Sequence, residues 1–168
     1  MIAHTPQITV STQRVLQTVL ELTESELNER YGVMGEALFA LASEAFFVRC
    51  NPFIPKEVIE QQVTEKIERL DNGSQPDELP HLKLKMQQFW KEEKAHESFK
   101  NKVRAELKGI IEPDKVVDSP GTLVQFATDA TGLHMELPML AVFPESTREV
   151  QDIVRLANSL GFSIVPRG

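Results

Sequence analysis

Cysteine is almost absent from this sequence, because Cys50 is the single cysteine among 168 residues. One cysteine cannot form an intrachain disulfide, and it leaves an iron–sulfur cluster or a structural zinc site without the thiolate ligands that these centres need. The four histidines include no HxxxH or HxxEH pair, the spacings that typify zinc-binding helices. The sequence therefore predicts no metal site.

Positive charge is also scarce. The chain has 18 lysines and arginines against 25 aspartates and glutamates, which gives a formal net charge of −7 at pH 7. A general nucleic-acid-binding protein needs a basic surface that replaces the counterions along the phosphates. The charge balance therefore argues against a nucleic-acid partner.

Long hydrophobic runs and a secretory leader are missing as well. No apolar run reaches the roughly 20 residues that a membrane-spanning helix requires, and residues 1–6 lack a basic start followed by an apolar core. We therefore expect a cytoplasmic protein without a transmembrane segment, and peripheral association with the inner membrane is an open alternative. No G-x-S-x-G elbow or G-x-x-x-x-G-K-[ST] loop is present, which removes the usual hydrolase and NTPase signatures.

The residues that are present describe a folded globular chain. The apolar fraction is 41% and the charged fraction is 26%, values typical of soluble domains rather than of disordered segments. The length suits one ordinary domain, or one small domain plus part of another.

Apolar residues at helical spacing indicate that residues 1–110 are almost entirely helical. A capping box at Thr23 and Glu26 predicts a long central helix that continues toward Asn51, and close packing against a neighbour would explain Gly32 and Gly35 within it. Further apolar stripes predict a helix after Pro55 and one or two helices over residues 80–108. We place a domain boundary after this region, with a helical extension at residues 1–110 and a second domain at residues 111–168.

The last thirty residues follow a strand, helix, strand pattern. The apolar run at residues 137–143, closed by Pro144, predicts a buried parallel strand. Ser146 and Glu149 form a second capping box, and Gly161 suits the left-handed end of the helix that follows. Residues 162–165 are the second strand, which a right-handed crossover would place parallel to the first. The predicted fold class is α+β, with a helical N-terminal region and one β-α-β unit.

The end of the second strand predicts an anion site. Open α/β sheets bind ligands at the carboxyl ends of their strands, and consecutive backbone N–H groups form a cradle for phosphate. Gly168 would begin this cradle, because a side chain there would collide with the ligand. Val165 and Pro166 lead into it, Arg167 either adds charge or faces solvent, and Pro144 would lie at the same edge.

Three segments, residues 126–130, 140–150 and 164–168, agree in order and spacing with a known family. They resemble the start of the FAD-binding domain shared by vanillyl-alcohol oxidase and p-cresol methylhydroxylase, and they are most similar to its D-lactate dehydrogenase and glycolate oxidase flavoprotein branch. The resemblance covers residues from about Ile111 onward. In that family the second strand runs into a glycine-rich loop that holds the FAD pyrophosphate, and only the first glycine of that loop is present here.

The resemblance implies FAD as the cofactor, with Pro144, Val165, Pro166, Arg167 and Gly168 as the binding residues. Pro144 would flank the adenine portion of FAD, or would simply end the strand. The implied activity is oxidation of a small 2-hydroxy acid such as D-lactate or glycolate by a longer parent enzyme, a dehydrogenase or oxidase, and we expect the 168 residues alone to be inactive. No catalytic residue is identified. An electron acceptor or another subunit is a candidate partner.

A second interpretation belongs to a different class of protein. In it the helical region is a non-catalytic binding or assembly module, and the β-α-β unit serves as its scaffold. Fold analogy alone does not decide between the two, since function resides in the site.

Overall fold

The computed structural model describes residues 12–51, 53–71, 79–127 and 137–167. The chain divides into two compact units, Met1–Glu92 and Glu93–Gly168, and the division falls within one long helix. The boundary predicted from sequence, between residues 110 and 111, marks the end of the helical region and stays a prediction.

The described secondary structure of the first unit consists only of helices and the turns that connect them. It contains α1 (Thr12–Val19), α2 (Glu24–Tyr31), a 3₁₀ turn (Gly32–Met34), α3 (Gly35–Cys50), α4 (Lys56–Asp71) and the N-terminal part of α5 (Leu79–Leu107). Helix α3 packs against α1, α2 and α4, as expected for a central helix. Its buried residues join a core with apolar side chains from the other helices, which include Leu16, Val19, Val63, Leu79, Leu82, Phe89 and Trp90.

The capping box at the start of α2 is confirmed. The Thr23 hydroxyl accepts a hydrogen bond from the backbone N–H of Glu26 at 3.2 Å, and the Glu26 carboxylate accepts one from the backbone N–H of Thr23 at 2.8 Å. Two N–H groups that a helix start leaves without intrahelical partners are thereby satisfied.

The prediction of one continuous central helix is wrong at Gly32. Helix α2 ends at Tyr31, Gly32 has φ +47° and ψ −120°, and α3 begins at Gly35 after the 3₁₀ turn. A Cβ atom at Gly32 would meet nothing within 4 Å, so close packing does not explain this glycine. Its role is conformational, because residues that carry a side chain rarely adopt these backbone angles.

The second unit contains the C-terminal part of α5, a 3₁₀ turn (Pro113–Lys115), β1 (Val116–Val117), α6 (Pro120–Gln125), β2 (Ala141–Val142) and α7 (Thr147–Leu160). Residues 79–107 form one helix rather than two. The core of this unit is a cluster of buried apolar side chains from α5, β1 and α7 together with one residue of the turn after α5: Val103, Leu107, Ile111, Val116 and Ile153.

The expected start and end of α7 are both confirmed. Ser146 and Glu149 form the capping box, and Gly161 takes the left-handed conformation with φ +76° and ψ +41°. Ile153 and Ala157 are buried, whereas Val150 and Val154 of the same helix are about half exposed. The second unit therefore covers only part of the apolar side chains of α7.

The predicted parallel pairing of residues 137–143 with residues 162–165 is not what the structure shows. β2 is confined to Ala141–Val142 and pairs antiparallel with β1, with Val116 opposite Val142 and Val117 opposite Ala141. Residues 162–165 belong to no strand. The partner of β2 is instead residues 116–117, a β-branched pair that was not predicted to be a strand. The α+β class is compatible with this arrangement, although the order of the sheet is different.

Within the described ranges, no helix combines the length and apolar character needed to cross a membrane.

Candidate functional site

The turn after β2 carries Pro144 and is held on both sides. The backbone N–H of Phe143 donates to the carbonyl oxygen of Lys115 at 3.1 Å. The Glu149 carboxylate accepts from the backbone N–H groups of Glu145 at 2.6 Å and of Ser146 at 3.1 Å. Pro144 itself is exposed at the surface of the second unit. The structure therefore presents Pro144 on a turn whose neighbouring backbone groups are fixed.

The charges around this turn form a connected network. Lys115 Nζ lies 2.5 Å from Glu145 Oε2 and 3.2 Å from Glu112 Oε2. The hydrogen bond that the Lys115 ammonium group donates to Glu145 is the main cause that raises the pKa of Lys115 above its ordinary value. The backbone N–H of Glu145 is the main cause that lowers the pKa of Glu149. Both groups are therefore charged at neutral pH, and the network joins the 3₁₀ turn before β1, the turn after β2 and α7.

Two aromatic rings connect the turn with residues 162–167. The rings of Phe126 and Phe143 lie 6.0 Å apart between centroids at an angle of 60°. The guanidinium carbon of Arg167 lies 5.7 Å from the Phe126 centroid, a cation–π distance. The structure thus brings Arg167 and the turn that carries Pro144 to the same ring, although no strand pairing joins them.

The other predicted site residues have different surroundings. Val165 is 82% exposed, and Pro166 is exposed as well. Gly168, the expected first residue of the phosphate cradle, lies outside the described residues. Arg167 is exposed, and its guanidinium group also contacts the Phe126 ring. The roles of these residues toward a ligand remain predictions.

Lys115 was not among the residues that were predicted for this site from the sequence. Lys115 lies thirty positions before Glu145, and nothing in the local pattern indicates that the two side chains meet. The contact follows from the pairing of β1 with β2, which places Lys115 beside Phe143. The one local signal was the Val116–Val117 pair, because adjacent β-branched residues favour a strand.

In the part of the chain that the structure describes, no group of three histidine, cysteine, aspartate or glutamate side chains is arranged to hold a metal ion.

The chain is 40% identical over 63 residues to a D-2-hydroxyglutarate dehydrogenase of Stutzerimonas stutzeri (strain A1501). The match covers 38% of this chain but only 14% of the length of that protein. No protein-family model matches the chain, and no solved structure matches it. The similarity is a partial and distant link to hydroxy-acid dehydrogenases.

Proposed function

We propose that this chain is part of an FAD-dependent oxidoreductase that oxidises a small 2-hydroxy acid, and that residues 111–168 begin its FAD-binding domain of the p-cresol methylhydroxylase type. The observation that carries the proposal is the 63-residue match to a D-2-hydroxyglutarate dehydrogenase. Its substrate class agrees with the class that the sequence resemblance implied. D-lactate, glycolate and D-2-hydroxyglutarate are the candidate substrates.

The proposed cofactor site comprises Pro144, Val165, Pro166, Arg167 and Gly168. The structure describes four members of this set, all except Gly168. All four are exposed, so a ligand can reach them, and Arg167 supplies a positive charge for an anionic dinucleotide. FAD, when bound, would accept the hydride that the hydroxy acid loses, and this chain would bind and orient the FAD. Charge-assisted hydrogen bonds from an arginine to phosphate oxygens are stronger than neutral ones.

The test uses the protein expressed from its complete gene. We expect it to bind FAD, and we expect the flavin absorbance to bleach when one of the three hydroxy acids is added without oxygen. Replacing Arg167 with alanine should weaken FAD binding several-fold, because a cation next to the phosphates is lost. Arg155→Ala is the matched control, since Arg155 lies on α7 and pairs with Asp152 in a local contact.

Each part of this experiment has its own contrary result. A colourless protein that gains no flavin from added FAD would remove the oxidoreductase assignment. Flavin that binds but is bleached by none of the hydroxy acids would keep the cofactor and reject the substrate class. Equal losses in the Arg167 and Arg155 variants would reject the proposed role of Arg167.

A second candidate function is a helical binding module, and an exposed apolar surface on the first unit favours it. We call this surface the α3–α4 tip, and it consists of residues at the connection between these helices: Phe47, Phe53, Ile54 and Val58. Phe53 is 65% exposed and Phe47 is 54% exposed. Exposed apolar patches on soluble proteins often mark interaction sites, and these four side chains lie within twelve residues of one another in the sequence. This function would not require flavin, so the FAD measurement separates the two candidates.

A further inference from the structure

Lys115 contacts both neighbours of Pro144. Its carbonyl oxygen accepts the N–H of Phe143 at 3.1 Å, and its ammonium group lies 2.5 Å from the carboxylate of Glu145. Proline has no N–H to donate, so Pro144 cannot contribute a backbone donor of its own. The position of Pro144 therefore depends on the residues that flank it, and Lys115 is bonded to each of them.

The ammonium group of Lys115 is well placed to hold a side chain that would otherwise move in solvent. The Lys115 side chain is 20% exposed, whereas the side chain of Glu145 is 70% exposed and that of Glu112 is 71% exposed. The strand register that pairs Val116 with Val142 fixes the backbone of Lys115 next to the turn. Lys115 is therefore the more buried partner, and the side chains of Glu112 and Glu145 both contact its ammonium group.

Lys115 also reduces the negative charge around the turn that carries Pro144. Glu112, Glu145 and Glu149 place three carboxylates around the turn, and Lys115 contacts two of them. Without the ammonium group, these carboxylates would repel a ligand that carries a diphosphate. The same side chain therefore orders the turn and reduces the negative charge that an anionic ligand would meet there.

We propose that Lys115 is a positioning residue of this site, which fixes the Pro144 turn and reduces the negative charge of its carboxylates so that an anionic dinucleotide can bind beside it. The inference rests on the proposed flavin function. Lys115 acts through Glu145 and the backbone of Phe143, and it needs no contact with the cofactor.

The experiment compares Lys115→Met with Lys115→Arg and with Glu112→Gln in the protein from the complete gene. The methionine variant should weaken FAD binding by about two- to fivefold, the range that loss of a partly exposed ion pair produces. Hydrogen exchange at the amides of Phe143 and Glu145 should be faster in it. The arginine variant should restore both measurements. The Glu112 variant should leave FAD binding unchanged or up to about twofold tighter, because the pair with Glu145 remains and one repelling carboxylate is lost.

Salt dependence separates the charge role from a purely structural one. Added salt screens repulsion between exposed charges, so the difference in FAD affinity between the wild type and Lys115→Met should narrow as ionic strength rises. Loss of packing alone would leave that difference constant. Glu145→Gln serves as a second variant, since it removes the ion pair from the exposed partner, and it should also accelerate amide exchange at residues 143 and 145.

The outcomes distinguish the inference from the function on which it rests. If the wild type binds no FAD, both are overturned. If the wild type binds FAD and the methionine variant binds it equally well, only the positioning role is rejected. Unchanged amide exchange in the methionine and Glu145→Gln variants, or failure of arginine to restore binding, would also reject that role.

Discussion

At the scale of single residues, the turn between α2 and α3 depends on one glycine. Gly32 follows α2 directly and is the first residue of the 3₁₀ turn, and its N–H donates to the carbonyl oxygen of Asn28. Its φ of +47° and ψ of −120° match the first central position of a type II′ turn, which glycine dominates. Gly35 differs, because it has ordinary helical angles at the start of α3.

The two glycines provide a matched pair of substitutions. Gly32→Ala should lower the free energy of unfolding by roughly 1–3 kcal/mol, because alanine would be strained at this backbone conformation. Gly35→Ala should be neutral or should stabilise the protein by about 0.4–1 kcal/mol, since its Cβ would lie 3.5 Å from Leu27 Cγ, an ordinary contact. Denaturant unfolding measures both. Similar losses in the two variants would contradict the conformational role of Gly32.

At the scale of elements, local signals predicted the helices well and the sheet poorly. The capping boxes at residues 23–26 and 146–149 and the left-handed Gly161 were correct, because each depends on side chains within a few positions of the backbone that they cap. Strand pairing depends on residues far apart in sequence. The apolar run before Pro144 indicated a strand but could not indicate that Val116–Val117 would be its partner.

Prediction of the site from the sequence was limited in the same way. Pro144 and Arg167 were selected from the sequence, and the Phe126 ring links Arg167 to Phe143, next to Pro144. Lys115 was missed, because its contact with Glu145 exists only after β1 and β2 have paired. Residues close to a motif could be predicted, and residues brought to it by the fold could not.

The two capping boxes predict a loss of stability in acid. Backbone hydrogen bonds are the largest cause that lowers the pKa of Glu26, through Thr23, and of Glu149, through Glu145. A carboxyl group with a lowered pKa in the folded state stabilises that state above its unfolded pKa, and this contribution is lost as pH falls through the folded value. We therefore expect helix content and the unfolding midpoint to decrease below about pH 4.3, the ordinary pKa of glutamate.

Variants assign this acid effect to the caps. In Glu26→Gln and Glu149→Gln the charge is absent at every pH, so the unfolding midpoint should be lower at pH 7 and should change less between pH 6 and the acidic range. Glu57→Gln, in the first turn of α4, is the control for loss of an acidic residue near a helix start. An equal acid response in all four proteins would show that other carboxylates cause it.

At the scale of the whole molecule, helix boundaries and core boundaries are different properties. Helix α5 continues from Leu79 to Leu107, yet its buried side chains up to Trp90 belong to one apolar cluster and those from Val103 belong to another. Gly109 and Pro113 mark the end of helical backbone in the sequence. They carry no information about which side chains pack together, so the division after Glu92 was not accessible from local pattern.

The α3–α4 tip yields a prediction at this scale, because its apolar side chains contribute to the surface rather than to the core. Phe53→Ser should change the free energy of unfolding by no more than about 0.5 kcal/mol, as expected for an exposed position. Phe89→Ala, at a position 2% exposed in the core of the same unit, should cost about 3–5 kcal/mol.

Binding of a hydrophobic dye should decrease in Phe53→Ser and in the double variant with Phe47→Ser. Leu84→Ser controls for loss of a single exposed apolar side chain on α5, since Leu84 is 58% exposed. If Phe53→Ser destabilises the protein as much as Phe89→Ala does, Phe53 belongs to a core, and the tip is not available as a binding surface.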